Sequence, residues 1–221
     1  MSDPIVYGFP RSTFVNIVRL VLTHKEVPYS FHDLESEMGK PSHLALHPFN
    51  RVPILRHGDF TVYETSAIVA YVDETFPTLP LQPRSVRDRA RTDQWISMVN
   101  SYYYPYMIYH VSHERNVFPD LGIASDEKVV AHALPKIEVG LQVAERELAH
   151  GKDYLPGDEI DWASIHWQIK RAAAAPSSCA TTKGATSAGR IPANVLDADR
   201  AIVTAGFANE VEAVNQYAAV M

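Results

Sequence analysis

The side chains and backbone groups best suited to gripping a small polar ligand lie between Asn50 and Ile68. Pro53 opens a strand and has no N–H to donate to a ladder, so it belongs on an edge or in a bend and leaves neighbouring backbone groups available. Val52, just before it, can then pair through its backbone with a peptide-like ligand. Glu64, Thr65 and Ser66 stand where the first amides of a helix point outward without partners, an end that attracts a carboxylate. An ordinary edge proline beside a capped helix would leave the same pattern, so these residues alone keep both readings open. Ser12 sits between a strand and a helix, a common place for a serine cap. His110, His113 and Glu114 share a helix face but have no third ligand nearby in sequence, which favours packing or solvated histidines over zinc.

The elements that must position these residues follow from the hydrophobic period. Ile5 to Gly8 reads as a strand, Phe9 to Thr13 as a loop, and Phe14, Ile17, Val18, Val21 and Leu22 as one face of a helix ending near Glu26. Pro28 breaks that helix, and Tyr29 to Leu34 forms a second strand, parallel to the first. A short helix starts near Pro41. Ile54-Leu55 and Phe60 to Tyr63 flank a Gly58-Asp59 turn as a β-hairpin, and Ile68, Tyr71, Val72 and Phe76 then take up helical spacing. The order is β-α-β-α-β-β-α.

Pro77, Pro80 and Pro83, with Leu79 and Leu81 between them, read as an ordered linker. The predicted division is therefore a first domain at 1–76, a linker at 77–84 and a helical domain at 85–221. Trp95, Met98, Val99, Tyr102, Tyr106 and Tyr109 trace a long helix in which Pro105 predicts a kink. A second long helix is expected from Asp126, as N-cap, to about Leu148, with Val129, Val130, Leu134, Ile137, Leu141, Ala144 and Leu148 on its buried side and Pro135 inside it.

Composition narrows the classes. The chain has 221 residues, 46% hydrophobic and 21% charged, enough for two domains with real cores. A net charge of −6 gives no reason to expect nucleic acid or an anionic membrane as partner. With no long apolar run and no charged-then-apolar leader, a cytoplasmic protein is the expectation. The single cysteine, Cys179, excludes an intramolecular disulfide and any Cys-x-x-Cys redox motif. There is no glycine-rich phosphate loop, no Ser-His-Asp signature and no basic aromatic patch.

Arg51-Val52-Pro53-Ile54-Leu55 followed by Tyr63-Glu64-Thr65-Ser66-Ala67-Ile68 resembles the glutathione-binding half of the glutathione S-transferase family, and the resemblance covers about residues 4–171. It implies an α/β thioredoxin-like N-terminal domain followed by an all-α helical-bundle C-terminal domain. It also implies that Pro53 is cis, that Val52 pairs by backbone with the cysteinyl part of glutathione, and that Glu64 and Thr65 hold the γ-glutamyl end. Pro10-x-Ser12-Thr13 resembles the active-site loop of serine-type classes such as phi and theta. On that likeness Ser12 is the thiolate donor, Thr13 the nearby alternative and Tyr7 a weaker one, set against the plain cap reading of Ser12. Lys40, in Gly39-Lys40-Pro41, resembles the basic residue that holds the glycine carboxylate, set against an ordinary surface lysine. Arg11 could assist anionic groups, but reads rather as a solvated loop residue.

The resemblance implies a transferase that joins the glutathione thiolate to a hydrophobic electrophile, with glutathione as co-substrate, no cofactor, no metal, and a homodimeric assembly. Glutathione-dependent isomerase or dehalogenase chemistry, and a non-catalytic binding or scaffold protein, are the alternatives. The electrophile is expected between the Phe9 to Phe14 loop and the helix carrying Tyr102, Tyr103, Tyr106, Tyr109 and His110. Tyr154-Leu155-Pro156-Gly157-Asp158 resembles the loop before the family's central helix, but Asp161-Trp162-Ala163-Ser164 offers a weaker capping arrangement than the family's. From Ala172 the chain becomes small and polar, which points to a divergent or frame-shifted tail.

Overall fold

In the computed structural model the residues described are 2–120, 122–148 and 163. They divide into two compact units, one ending at Gln82 and the other beginning at Pro83. The expectations for the Tyr154 loop, the Asp161 to Ser164 cap, Cys179 and the tail lie outside the described residues, as does the side chain of Leu148.

The first unit is a mixed four-stranded sheet with helices, a thioredoxin-like arrangement. Its elements are β1 (Ile5–Gly8), α1 (Thr13–His24), β2 (Ser30–Asp33), α2 (Pro41–Leu46), β3 (Ile54–His57), β4 (Phe60–Tyr63) and α3 (Thr65–Thr75). The strand order is β2-β1-β3-β4, with β1 parallel to β2 and antiparallel to β3, and β3 antiparallel to β4. Side chains alternate across the sheet. Val6 and Leu55, opposite one another in register, share one face and are fully buried; α1 and α3 pack together and against the sheet. Tyr7 and Ile54 form the next pair and so face the other way, clustering with Leu34 and with Ile5, Phe9, Leu46, Val52 and Tyr63. β1 runs so close to α1 at its end that a Cβ on Gly8 would collide with the Val15 side chain.

A buried ion pair ties the end of this unit to its helices. Lys25 Nζ, just past α1, lies 2.6 Å from Asp73 Oδ1 on α3 and also donates to the Thr78 and Leu79 carbonyls at 2.9 and 3.2 Å. Asp73 in turn accepts from the Leu81 and Gln82 amides at 2.9 and 3.0 Å. The proline-rich segment 77–82 is therefore held by its backbone, with Leu81 buried.

The described part of the second unit is helical. α4 (Val86–Met98) is capped by Ser85, whose Oγ accepts from the Asp88 N–H. The chain then continues in π-type turns, Val99–Tyr103 and Pro105–Val117, closes with a single α turn (α5, Phe118–Asp120), and is followed by α6 (Glu127–Leu148). Pro105, where a kink is expected, stands at the first position of the second π-type stretch and has no N–H to give to the ladder. Asp126 caps α6 as expected, its Oδ1 accepting from the Lys128 N–H at 2.8 Å.

The buried stripe of α6 differs from expectation. Val130, Ala133 and Ala144 are buried, with Ile137 and Gly140 half-buried on the same stripe, whereas Leu134 and Leu141 are 54% and 40% exposed. The reason is close helix approach. Tyr103 donates from its hydroxyl to the Gly140 carbonyl at 2.7 Å, and a Cβ on Gly140 would lie 2.6 Å from the Tyr103 ring. Small residues therefore face the π-helical stretch, and the leucines one position along turn outward.

Candidate active site

Sheet register alone gathers the candidate residues. Tyr7 pairs with Ile54, and Ile54 with Tyr63. The loop after β1, the Val52-Pro53 segment before β3 and the Glu64-Thr65 step after β4 therefore leave the sheet at one end. β2, parallel to β1, ends there too, at Asp33 opposite Gly8, and leads on to Lys40 and α2.

Ser12 caps α1. Its backbone is extended and its Oγ accepts from the Val15 N–H at 3.4 Å. A serine hydroxyl has one hydrogen and two lone pairs, and the cap uses one lone pair. The hydrogen is left to donate to an anion, where the α1 N-terminus adds partial positive charge. Capping and anion donation are compatible roles of the same group. Thr13 is the first residue of α1 and half-buried. Tyr7 is 7% exposed, with the His32 ring 5.0 Å away and the Arg56 guanidinium 5.3 Å from its centroid.

Arg11 corrects the reading of a solvated loop residue. Its guanidinium is 2.9 Å from Glu35 Oε1, and its side chain is only 15% exposed. The parallel pairing of β1 and β2 brings these two loops side by side, which strand periodicity could not show.

The Val52–Pro53 peptide bond is cis. Pro53 is buried, and the strand ladder begins only at Ile54, so Val52 stands outside it in a bend before an inner strand. Glu64 is exposed, occupies the N-cap position of α3 and makes no side-chain cap hydrogen bond. Its φ of 72° is on the side of the map that a Cβ makes costly, roughly 1–3 kcal/mol, and such conformations persist where surrounding structure over-determines them. Thr65 beside it is 5% exposed. Lys40 is exposed at the N-cap of α2, with Pro41 in the first turn.

Three residues near this end were not among the sequence candidates. His43 and His47 are both buried, with ring centroids 6.4 Å apart, and Asn50 adopts a φ of 53° in the loop that leads to Val52. The His47 ring lies 4.4 Å from that of Tyr63, and its Nδ1 is buried without a hydrogen-bond partner. Burial lowers its pKa from the ordinary value, outweighing the opposing pull of Glu64. The i, i+4 spacing of the two histidines after Pro41 was the available signal, although α2 ends at Leu46 and His47 is its C-cap.

Among the described residues of the second unit, Tyr104 meets Tyr109 edge-on and the Tyr106 ring lies 5.4 Å from that of His110. Tyr103 is 2% exposed, a bundle core residue whose hydroxyl burial pushes up to about 12. Tyr102 and Tyr109 are exposed. His110 Nδ1 lies 2.6 Å from the Pro105 carbonyl, the His113 ring meets Tyr109 and Phe118 edge-on, and buried Glu114 accepts from the Asp126 N–H at 2.7 Å. Among the described residues no three such side chains could hold a metal ion.

A family model described as "Glutathione S-transferase, N-terminal domain" matches residues 6–84. A probable glutathione S-transferase GSTF2 of Oryza sativa subsp. japonica is 31% identical over 169 residues, covering 75% of this chain and 78% of the relative. The crystal structure of glutathione transferase F2 from Populus trichocarpa superposes with a TM-score of 0.72 at 25% identity, covering 77% of this chain and 81% of that one. The structure of glutathione S-transferase-I bound with lactoylglutathione gives a TM-score of 0.71 at 26% identity over 100% of both chains. The cis-proline hairpin, the capped serine loop and these likenesses agree: the chain belongs to the glutathione S-transferase family.

Proposed function

We propose that this chain, a glutathione transferase by family, binds glutathione at the sheet end shared by Ser12, Val52-Pro53 and Glu64-Thr65 and conjugates its thiolate to a hydrophobic electrophile. The single observation that carries the reading is the convergence of those segments through the Tyr7–Ile54–Tyr63 register. The Val52 backbone pairs with the cysteinyl unit, Glu64 and Thr65 with the α3 amides hold the γ-glutamyl end, and Lys40 neutralises the glycine carboxylate. A related structure that holds a glutathione derivative supports the choice of ligand.

The chemistry needs a thiolate, because the thiol is a poor nucleophile. Lowering a thiol pKa from about 8.5 by two units takes roughly 2.7 kcal/mol of differential stabilisation. A hydroxyl bonded to a charged acceptor supplies about 1.5–3 kcal/mol, and a helix N-terminus about 0.3–1 kcal/mol. Ser12 and α1 together match the requirement. The thiol proton passes to solvent, the sulfur pair forms a bond to the electrophilic carbon, and the leaving group departs with its bonding pair or, in an addition, the adjacent carbon is protonated. Glutathione is co-substrate and no further cofactor takes part; the protein works as a cytoplasmic homodimer.

Incubation with glutathione and a panel of aryl halides and α,β-unsaturated carbonyls tests this, read by thioether mass and glutathione consumption. The expected result is conjugate formation at a rate that falls sharply in Ser12→Ala. Product without net glutathione consumption would instead indicate isomerase chemistry, and binding without any turnover a scaffold.

A further inference from the structure

His43 lies on α2 three residues beyond Lys40, is 0% exposed, and uses both ring nitrogens. The Gly39 N–H donates to Nδ1 at 3.3 Å, and Nε2 is 3.0 Å from the Arg51 carbonyl oxygen. These partners fix the tautomer. A backbone amide only donates, so Nδ1 is a bare acceptor; a carbonyl only accepts, so Nε2 carries the hydrogen. The ring is therefore neutral and has one orientation.

What it joins gives it a role. Gly39 immediately precedes Lys40, and Arg51 immediately precedes Val52 and cis Pro53. Gly39 has a φ of 73°, and a Cβ added there would come within 3.8 Å of the Asn50 side chain, so the two loops run close to one another. One buried imidazole thus spans the two backbone segments that, in the proposed function, meet the glycine carboxylate and the cysteinyl backbone of glutathione.

We propose that His43 is a positioning residue for glutathione: its neutral Nε2–H ring sets the separation between the Lys40 segment and the Val52 edge, and so governs affinity for the tripeptide without touching the sulfur chemistry. This rests on the glutathione site proposed above. Because the ring meets neither the sulfur nor the electrophile, its loss acts on ground-state binding of glutathione and leaves the chemical step alone.

The test compares His43→Phe, which keeps a ring and removes both nitrogens, with His43→Gln, which keeps one donor and one acceptor. In the Phe variant the KM for glutathione rises about tenfold, the change expected when one net hydrogen bond no longer holds the site in register. The KM for the electrophile, and kcat at saturating glutathione, stay within about twofold of wild type. The Gln variant recovers most of the affinity. A two-bond ¹⁵N–¹H spectrum of the wild-type protein shows His43 as the Nε2–H tautomer. An unchanged glutathione KM in the Phe variant, or a loss of kcat equal to the loss of affinity, overturns the proposal while leaving the glutathione site intact. A wild-type protein that binds no glutathione overturns both. Should the Phe variant fail to fold, the spectrum decides: a hydrogen on Nδ1, or an imidazolium at neutral pH, sinks the idea.

Discussion

Replacing Ser12 by Ala separates the two uses of one hydroxyl. As a cap, Ser12 accepts from Val15 N–H at 3.4 Å, at the long end for a hydrogen bond, in a half-buried site. Its loss therefore belongs at the low end of the range for cap removal, about 0.5–1 kcal/mol of stability. As an anion donor, the same hydroxyl contributes about 1.5–3 kcal/mol to a charged acceptor, which is roughly one to two units of thiol pKa. The variant should therefore melt nearly like wild type while its rate against pH moves alkaline by one to two units, roughly a 5- to 50-fold loss of kcat/KM near pH 6.5. Ser12→Thr keeps the hydroxyl and should retain most of both properties. The assay is kcat/KM from pH 5 to 9 alongside urea unfolding of each variant. A pH profile in Ser12→Ala that coincides with wild type, with only the small stability loss, would refute the donor role and leave the cap as the whole of it.

The remaining predictions concern the scaffold. Lys25→Met strands the Asp73 carboxylate in the interior and should cost about 3–5 kcal/mol by denaturant unfolding, with Lys25→Met plus Asp73→Asn recovering part of it; a loss under 1 kcal/mol would show the pair to be unimportant. Gly140→Ala gains about 1 kcal/mol in helix propensity, but its Cβ meets an anchored Tyr103 ring at 2.6 Å. Overpacking at about 1–3 kcal/mol and a weakened hydrogen bond outweigh that gain, so unfolding should show net destabilisation, relieved by Tyr103→Leu. Burial lowers the pKa values of His24, His47 and His113, so all three are harder to protonate folded than unfolded. Their contribution is fully present above the unfolded value near pH 6.5 and is lost as pH falls through the lower folded values. Urea midpoints should accordingly drop between pH 6.5 and 5.5, each histidine adding at most about 1.4 kcal/mol per pH unit, and His47→Gln should flatten the curve.

Much of the first unit was legible because its signals are local. The switch from period 2 to period 3.6 after Tyr63, the Gly58-Asp59 turn, and Pro28 and Pro41 each mark a boundary within a few residues, and β1, β4 and α2 stand where those marks put them. Register then does the rest. What was not legible depends on how separate segments are brought together: Arg11 meets Glu35 only because β1 and β2 are parallel neighbours, and His43 reaches Arg51 only once the chain after α2 turns back toward it. The left-handed backbone of Glu64 is set by the strand before it and the helix after it, not by its own residue type. On α6 the apolar period was visible, but its phase was not. Leu134 and Leu141 read as core until Tyr103 is seen to require Gly140 on the facing side.

The most direct test of the central claim is a calorimetric titration of the protein with glutathione near pH 7, repeated in buffers of different ionisation enthalpy. With the bound thiol held about two units below its free value, most of one proton per site leaves on binding, so the observed heat varies with the buffer. Glutathione binding whose heat is the same in every buffer, or no binding by folded protein, would contradict the account.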